Sequence, residues 1–310
     1  MKTDVAVVGA GWAGLTAASH LATRGHSVMV VEKARGPGGR SATRREGSLA
    51  FDHGAQYFTA RTDAFARQVR AWSHAGLADA WRPRIEVFGN RPEAAGSGPE
   101  TRWVGVPGMN AILHRFAAGL DCRYRWPVRA LFHDGCWTLV SEDDERLQAE
   151  VVLLTAPPAQ AAALLGPHHA LAERLGQVVM EPCWALMLAF DEPVDPGFDA
   201  AFVNDGSLAW VACNSAKPGR KARPQSWVVH AASDFSNRNL EREEGAVADE
   251  LLAALAELDD AFAARPRVCL AHRWRHARAV DALREPLLAE DRSSLVLAGD
   301  WCAGNRIEGA

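Results

Sequence analysis

Lysine is scarce: Lys2, Lys33, Lys217 and Lys221 are the only lysines among 34 basic residues, so the positive charge of this chain is almost all arginine. An excess of positive charge is missing too, the formal net charge being −4. That argues against a nucleic-acid surface, which usually shows as a strong basic excess. The six cysteines (Cys122, Cys136, Cys183, Cys213, Cys269 and Cys302) form no C-x-x-C pair. Scattered in this way, they fit small buried thiols in a reducing cytoplasm better than a disulfide framework or a zinc site. No apolar run approaches the roughly 20 residues needed to span a bilayer, and repeats and low-complexity tracts are absent. The apolar N-terminus has the look of a signal peptide, but Asp4 interrupts its charged region and glycines punctuate the stretch that follows. The expectation is a cytoplasmic protein with neither nucleic-acid nor membrane partners; its oligomeric state is left open.

What is present is enough apolar sequence, 48% of 310 residues, for two lobes with a core each. DVAVV (4–8) reads as a buried parallel strand, because its hydrophobicity is continuous and not alternating. A glycine turn follows, then a helix over 15–24 stopped by Gly25, then a second strand, HSVMVVE (26–32). Further on, the pattern predicts an amphipathic helix over 62–80, a polar loop over 91–100 and a helix over 107–120 with Pro107 near its start. Residues 124–156 read as hairpin strands turning at Gly135. A Trp-rich, mostly antiparallel region covers 182–275, with one long helix over 240–258. Residues 293–301 return to a buried parallel strand, and a helix begins at Arg306. Nucleotide-type strands at both ends imply interleaved domains. The expected division is 1–60, 101–160 and 290–310 for a Rossmann-type α/β domain, with 61–100 and 161–289 for a mixed-sheet α+β substrate domain.

GAGWAG (9–14) matches G-x-G-x-x-G, with Gly9, Gly11, Ala13 and Gly14 in the turn and Glu32 lying 18 residues after Gly14. Such glycines let the backbone approach a pyrophosphate, the following helix N-terminus supplies N–H groups, and the acid accepts from a ribose 2′-OH. Strand before, helix after and acid at the right distance make this a dinucleotide site. The turn alone does not separate NAD from FAD. The basic, glycine-rich run RGPGGR (35–40) following Glu32 and Lys33 does, because it resembles the second glycine motif of flavoproteins of the glutathione-reductase-like and amine-oxidase-like group. That resemblance implies FAD, with Gly39 passing close to the cofactor and Arg40 reaching phosphate or the flavin side.

DHGAQYF (52–58), WVGVPGMNAILHRFA (103–117), LTAPPAQ (154–160), HRWRHARAV (272–280) and GDWCAGNRIEGA (299–310) extend the likeness over nearly the whole chain. In this order they resemble the renalase-like branch of the flavin amine oxidase superfamily. The resemblance implies a Rossmann-type FAD domain interleaved with a mixed-sheet substrate domain, and non-covalent FAD, with Cys302 a buried free thiol. It also implies that Ala55, Gln56 and Tyr57 pass beside the flavin ring and that Val128 meets the adenine edge. Asp300 then contacts the ribityl chain, and Arg306 and Ile307 open a helix toward the flavin. Relatives continue beyond the position of Ala310, so the natural chain is expected to be longer.

For the substrate lobe the candidates are His230, Trp210, Trp274 and Arg275, since a flat ring needs aromatic walls and a few polar groups to fix its face. His272 and His276 have no carboxylate or cysteine at ligand spacing, so no metal is expected. The activity implied is oxidation of misreduced dihydro-NAD(P) isomers to NAD(P)+, with O2 taking the electrons as H2O2. No second G-x-G-x-x-G is present, so the dihydronicotinamide nucleotide enters as substrate. The lysine often found near the flavin of amine oxidases is missing from the 267–276 region, and no lysine falls beside the flavin motifs apart from Lys33 near the ribose. The alternative is a flavin amine oxidase or desaturase acting on another small amine or ring, which shares every FAD residue. A non-catalytic binding protein of the same fold is disfavoured by the intact phosphate turn, acid and second glycine motif.

Overall fold

Strand Lys2–Val8 lies at the centre of an eight-stranded sheet. It runs parallel to Val28–Glu32 on one side and Arg146–Leu154 on the other, with Val8 opposite both Val31 and Leu154. The continuous apolar runs 5–8, 28–31 and 151–154 within these strands follow from this central position, where both faces are covered. The computed structural model describes residues 1–89, 100–167 and 169–310. Among these the chain divides into two compact units: Met1–Arg40, Leu113–Met180 and Arg278–Ala310 form the first, and Ser41–Ile112 and Glu181–Ala277 the second.

In the first unit, Asp121–Tyr124 edges the sheet beyond Val28–Glu32, while Leu295–Leu297 and then Leu288–Glu290 extend it beyond Arg146–Leu154. The hairpin Val128–Asp134 and Cys136–Ser141 turns at Gly135, whose φ of +71° suits glycine, and pairs antiparallel with Arg146–Leu154. The core gathers Trp126, Trp137, Leu147, Val152, Leu297 and Trp301. Helix Trp12–Thr23 starts three residues earlier than its sequence suggested, because the glycine turn closes within residues 9–11. Gly25 stands just beyond its end at φ +92°.

In the second unit a six-stranded sheet runs in the order Val268–Ala279, Met180–Phe190, Gln225–Ala231, Leu208–Cys213, Ala200–Val203 and Ile85–Phe88. It is antiparallel through its middle and parallel where Ala200–Val203 meets Ile85–Phe88. Helix Glu244–Leu258 covers it with Val247, Ala248, Leu251 and Leu255, one face at helical spacing, in the same core as Trp184, Trp227 and Phe262.

Four expectations change. The helix over 62–80 stops at His74; Gly76 (φ +70°) turns the chain, and Ala78–Trp81 becomes a strand paired with Arg102–Gly105. The helix over 107–120 shrinks to Ala111–Ala117, since the Met109 N–H is drawn instead to Asp52 Oδ1 at 2.9 Å. The helix over 240–258 starts only at Glu244 and runs to Leu258, and a separate short helix, Ser233–Arg238, precedes it. Between them the Asn239 side chain donates back to Phe235 O and its carbonyl accepts from Trp184 Nε1. At Arg306 the chain is extended, and only the short 3-10 turn Ile307–Gly309 follows. The loop expected at 91–100 lies, apart from Glu100, outside the described residues. The compact units also cut the chain elsewhere than expected: 41–60 and 101–112 fall in the second unit, and 161–180 and 278–289 in the first. Sequence motifs mark where a cofactor motif runs, whereas compactness follows the packing partners of each strand.

Candidate functional site

The glycine turn of the first unit is built by contacts that only glycine allows. Gly9 has φ +111°, and a Cβ on Gly14 would stand 2.0 Å from Gly9 O. A Cβ on Gly11 would meet nothing within 4 Å, so this face of the turn is open. Gly39 (φ +51°) comes close from the second glycine motif, where a Cβ would be 3.4 Å from Gly11 Cα. The two glycine runs are thus neighbours in space. Glu32, at the end of its strand, accepts from Ala10 N and Ala34 N, both at 2.8 Å, one on each carboxylate oxygen. It therefore locks the turn while each oxygen keeps acceptor capacity for a ribose hydroxyl. Thr155, from LTAPPAQ, donates to Val8 O at 2.8 Å and so braces the same turn.

Arg40 and Asp300 come together as a two-bond ion pair, with Asp300 only 7% exposed. Charge-assisted pairing of this kind fixes both side chains. Lys33 Nζ donates to Gln160 Oε1 at 3.1 Å. Val128 starts a hairpin strand at intermediate burial, Arg306 is exposed, and Ile307 is partly buried. Cys302 is fully buried, and burial pushes its thiol up to about 11, which keeps it a thiol. An open cradle lined by backbone N–H groups, closed behind by glycines and flanked by a ribose-competent acid, fits the pyrophosphate and adenosine ribose of FAD.

The second unit holds a buried polar cluster that extends from the DHGAQYF segment. Asp52 (1% exposed) accepts from Thr43 Oγ1 at 2.7 Å, Met109 N at 2.9 Å and the Arg220 guanidinium. Burial alone would push its carboxyl up, but Lys217, Arg220 and the Met109 N–H outweigh that and hold it below the usual carboxylate range. Lys217 Nζ sits 3.9 Å from Asp52 Oδ2 and donates to Gln56 Oε1 at 3.1 Å. This fixes the Gln56 amide, whose Nε2 donates to Asp52 O and to Gly54 O at 3.1 Å. The sequence reading placed no lysine beside the flavin motifs apart from Lys33; the fold corrects this, bringing Lys217 across 161 positions to Gln56. Burial drops its ammonium to about 8 against the pull of Asp52.

His230 is held beside this cluster. Its Nε2 lies 3.1 Å from His53 O, a group that can only accept, so the proton sits on Nε2 and Nδ1 keeps its lone pair. Trp274 Nε1 donates to the same carbonyl at 3.0 Å. Burial brings His230 down to about 4 and His53 to about 3, so both rings are neutral at pH 7. Trp210 belongs to an aromatic group with Tyr57, Trp81 and Phe202, at centroid distances of 5.7, 6.4 and 4.7 Å. Arg275 joins neither group. Successive strand residues face opposite ways, so Trp274 turns inward and Arg275 pairs with Glu241 at the surface. Ala55 is partly buried next to Gln56.

Sequence reasoning missed Asp52, Lys217, Arg220, Trp81 and Arg102. Asp52 was in a quoted motif and could have been found as an acid inside an apolar strand. Lys217 and Arg220 sit in a polar loop, KPGRKAR, that gives no sign of burial.

An α/β unit with this glycine turn and acid defines a dinucleotide-binding oxidoreductase scaffold. Comparison with known proteins agrees. Residues 7–71 match the NAD(P)-binding Rossmann-like domain, and residues 76–310 match the flavin containing amine oxidoreductases. The chain belongs to the flavin-containing amine oxidoreductase family, and its cofactor is FAD. A curated relative, "Putative flavin-containing monoamine oxidase AofH" of Mycobacterium tuberculosis, is 46% identical over 61 residues. That stretch is 20% of this chain and 13% of the relative's length. Among solved structures, a putative protoporphyrinogen oxidase from Exiguobacterium superposes with a TM-score of 0.77 at 14% identity, covering 98% of this chain and 95% of that one. Cyclohexylamine oxidase from Brevibacterium oxydans gives 0.73 at 14% identity, covering 99% and 96%. At these identities the likeness is one of fold. No described helix is long and apolar enough to cross a membrane.

Proposed function

We propose that this chain is an FAD-dependent oxidase that takes a hydride from misreduced dihydro-NAD(P) isomers, regenerating NAD(P)+, with O2 as electron acceptor and H2O2 as product. Bound FAD supplies the hydride acceptor and the route of electrons to oxygen. The chain's own residues hold and orient. Glu32 and the turn at Gly9, Gly11 and Gly14 bind the dinucleotide end in the first unit, with Arg40 and Asp300 fixed beside the second glycine motif; the second unit is the substrate unit. His230 presents a neutral ring with its Nδ1 lone pair available to a substrate N–H.

One observation carries this reading over amine oxidation. A ring cage for an amine uses aromatic faces to attract the cation. Here those faces are held by the chain's own cations: Arg102 lies 5.3 Å over Tyr57, and Lys217 lies 5.6 Å over Trp81. A dihydropyridine ring is neutral and becomes aromatic on losing hydride, so it needs no strong base. A neutral His230 suits such a substrate. The second reading, oxidation of a small amine, is favoured by the family match and by the placement of Lys217 beside Gln56.

Anaerobic flavin bleaching separates the two. Mixed dihydro-NAD isomers should bleach the flavin within seconds, with peroxide appearing on admission of air, while 4-dihydro NADH and primary amines leave it oxidised. Bleaching by an amine alone would move the protein to amine oxidation.

A further inference from the structure

The aromatic group around Tyr57 holds three buried donors left without a partner among the described residues. Trp81 Nε1, Trp210 Nε1 and Arg102 Nε are all buried and have no hydrogen-bond partner among the described residues. A buried N–H left without a partner is destabilising, so three in one cluster favour an acceptor that would relieve them. Beside them lies an unbalanced charge. Lys217, Arg220 and Asp52 are 0%, 3% and 1% exposed at the side chain, two cations to one anion. Asp52 is already committed to Arg220, Thr43 and Met109, so Lys217 is left with a 3.9 Å approach and the neutral Gln56 amide. Its ammonium, though weakened by burial, stays charged at neutral pH.

We propose that Lys217, with the orphan donors of Trp81, Trp210 and Arg102, is a charge-selective subsite that holds a neutral ring bearing a carbonyl acceptor and repels the same ring once it is cationic. The proposal rests on the dihydronicotinamide reading above and goes further. The substrate ring enters uncharged with its carboxamide oxygen available to the orphan donors, and the product ring leaves as a pyridinium. The excess positive charge then weakens product binding where a neutral pocket would not. It also turns away protonated amines. Buried like charges a few ångströms apart interact strongly enough, even at an effective dielectric near 20, to separate the two rings by about tenfold or more in affinity.

The test is binding, not turnover. Titration calorimetry on the FAD-loaded protein would compare nicotinamide with its cationic 1-methyl derivative, which keeps the carboxamide and adds the charge. The expected result is at least tenfold tighter binding of nicotinamide, and a ratio near one in Lys217→Met, the cation gaining most. Equal affinities in the unaltered protein overturn the proposal without any variant, as does an unchanged ratio in a folded Lys217→Met. Replacing Trp81 by Phe keeps the ring and deletes one donor; it should weaken both ligands severalfold, since both carry the carboxamide, and leave their ratio as in the unaltered protein, whereas unchanged affinities would remove Trp81 from the subsite. If dihydro-NAD isomers fail to bleach the flavin but the charge ratio holds, the substrate reading fails and the selectivity of the subsite stands.

Discussion

Glu32 does two jobs with one carboxylate, so its removal should be felt twice. In Glu32→Ala the N–H groups of Ala10 and Ala34 lose their acceptor, and the ribose of FAD, in the site proposed for it, loses its partner. FAD should wash out on purification, read as the ratio of flavin to protein absorbance. An undiminished ratio would remove Glu32 from the ribose site. His53 and His230 set an acid limit. Their folded values, about 3 and about 4, lie below the ordinary histidine value of 6.5, so below pH 6.5 the unfolded chain takes up protons that the folded chain refuses. The stability they permit is complete above 6.5 and lost as pH falls toward 4. The loss grows with each further fall in pH, both rings contributing in the same direction. Urea midpoints should fall between pH 7 and pH 5; a midpoint that does not fall would show that the two rings accept protons in place. Of these residues, Glu32 could be read in the sequence from its spacing and His230 from its strand. His53 could not, because its neutrality depends on His272 and Trp274 from a strand more than 200 positions away.

Elements whose period is local were readable, and those ended by a side chain from elsewhere were not. Strands Lys2–Val8 and Arg146–Leu154 announce themselves by the continuous apolar runs 5–8 and 151–154 at their ends, and Gly25 and Gly135 mark real turns. The shortened helix at Ala111–Ala117 depends on Asp52 capturing the Met109 N–H, and the end of helix Ser233–Arg238 at Asn239 depends on Trp184. No window around either helix contains that information. The same distinction sets expectations for mutation. Gly14→Ala would put a Cβ 2.0 Å from a backbone oxygen in the tightest part of the turn, with no flexible side chain to yield. It should cost roughly 1–3 kcal/mol in chemical denaturation and reduce FAD content. Leu251→Ala, on the covering face of helix Glu244–Leu258, should cost about 2–5 kcal/mol yet leave flavin content per folded protein unchanged. Loss of flavin at intact stability would contradict the separation of core and site.

At the scale of the whole molecule the chain passes between its two units four times, so neither is a continuous piece. The sheet of the first unit takes strands from all three of its segments, Lys2–Val8, Arg146–Leu154 and Leu295–Leu297. Deleting residues 288–310 would strip Leu295, Leu297 and Trp301, all at most 1% exposed, from that core and bare the edge of Arg146–Leu154. Such a shortened chain should lose its cooperative unfolding transition and aggregate; a sharp transition near that of the full chain would overturn this. The interleaving also reaches into inheritance. A single exchange of contiguous coding sequence between two relatives carries parts of both units, and transplanting the second unit whole would take two separate insertions in register. A lineage built this way cannot borrow either unit as a ready-made half in one exchange.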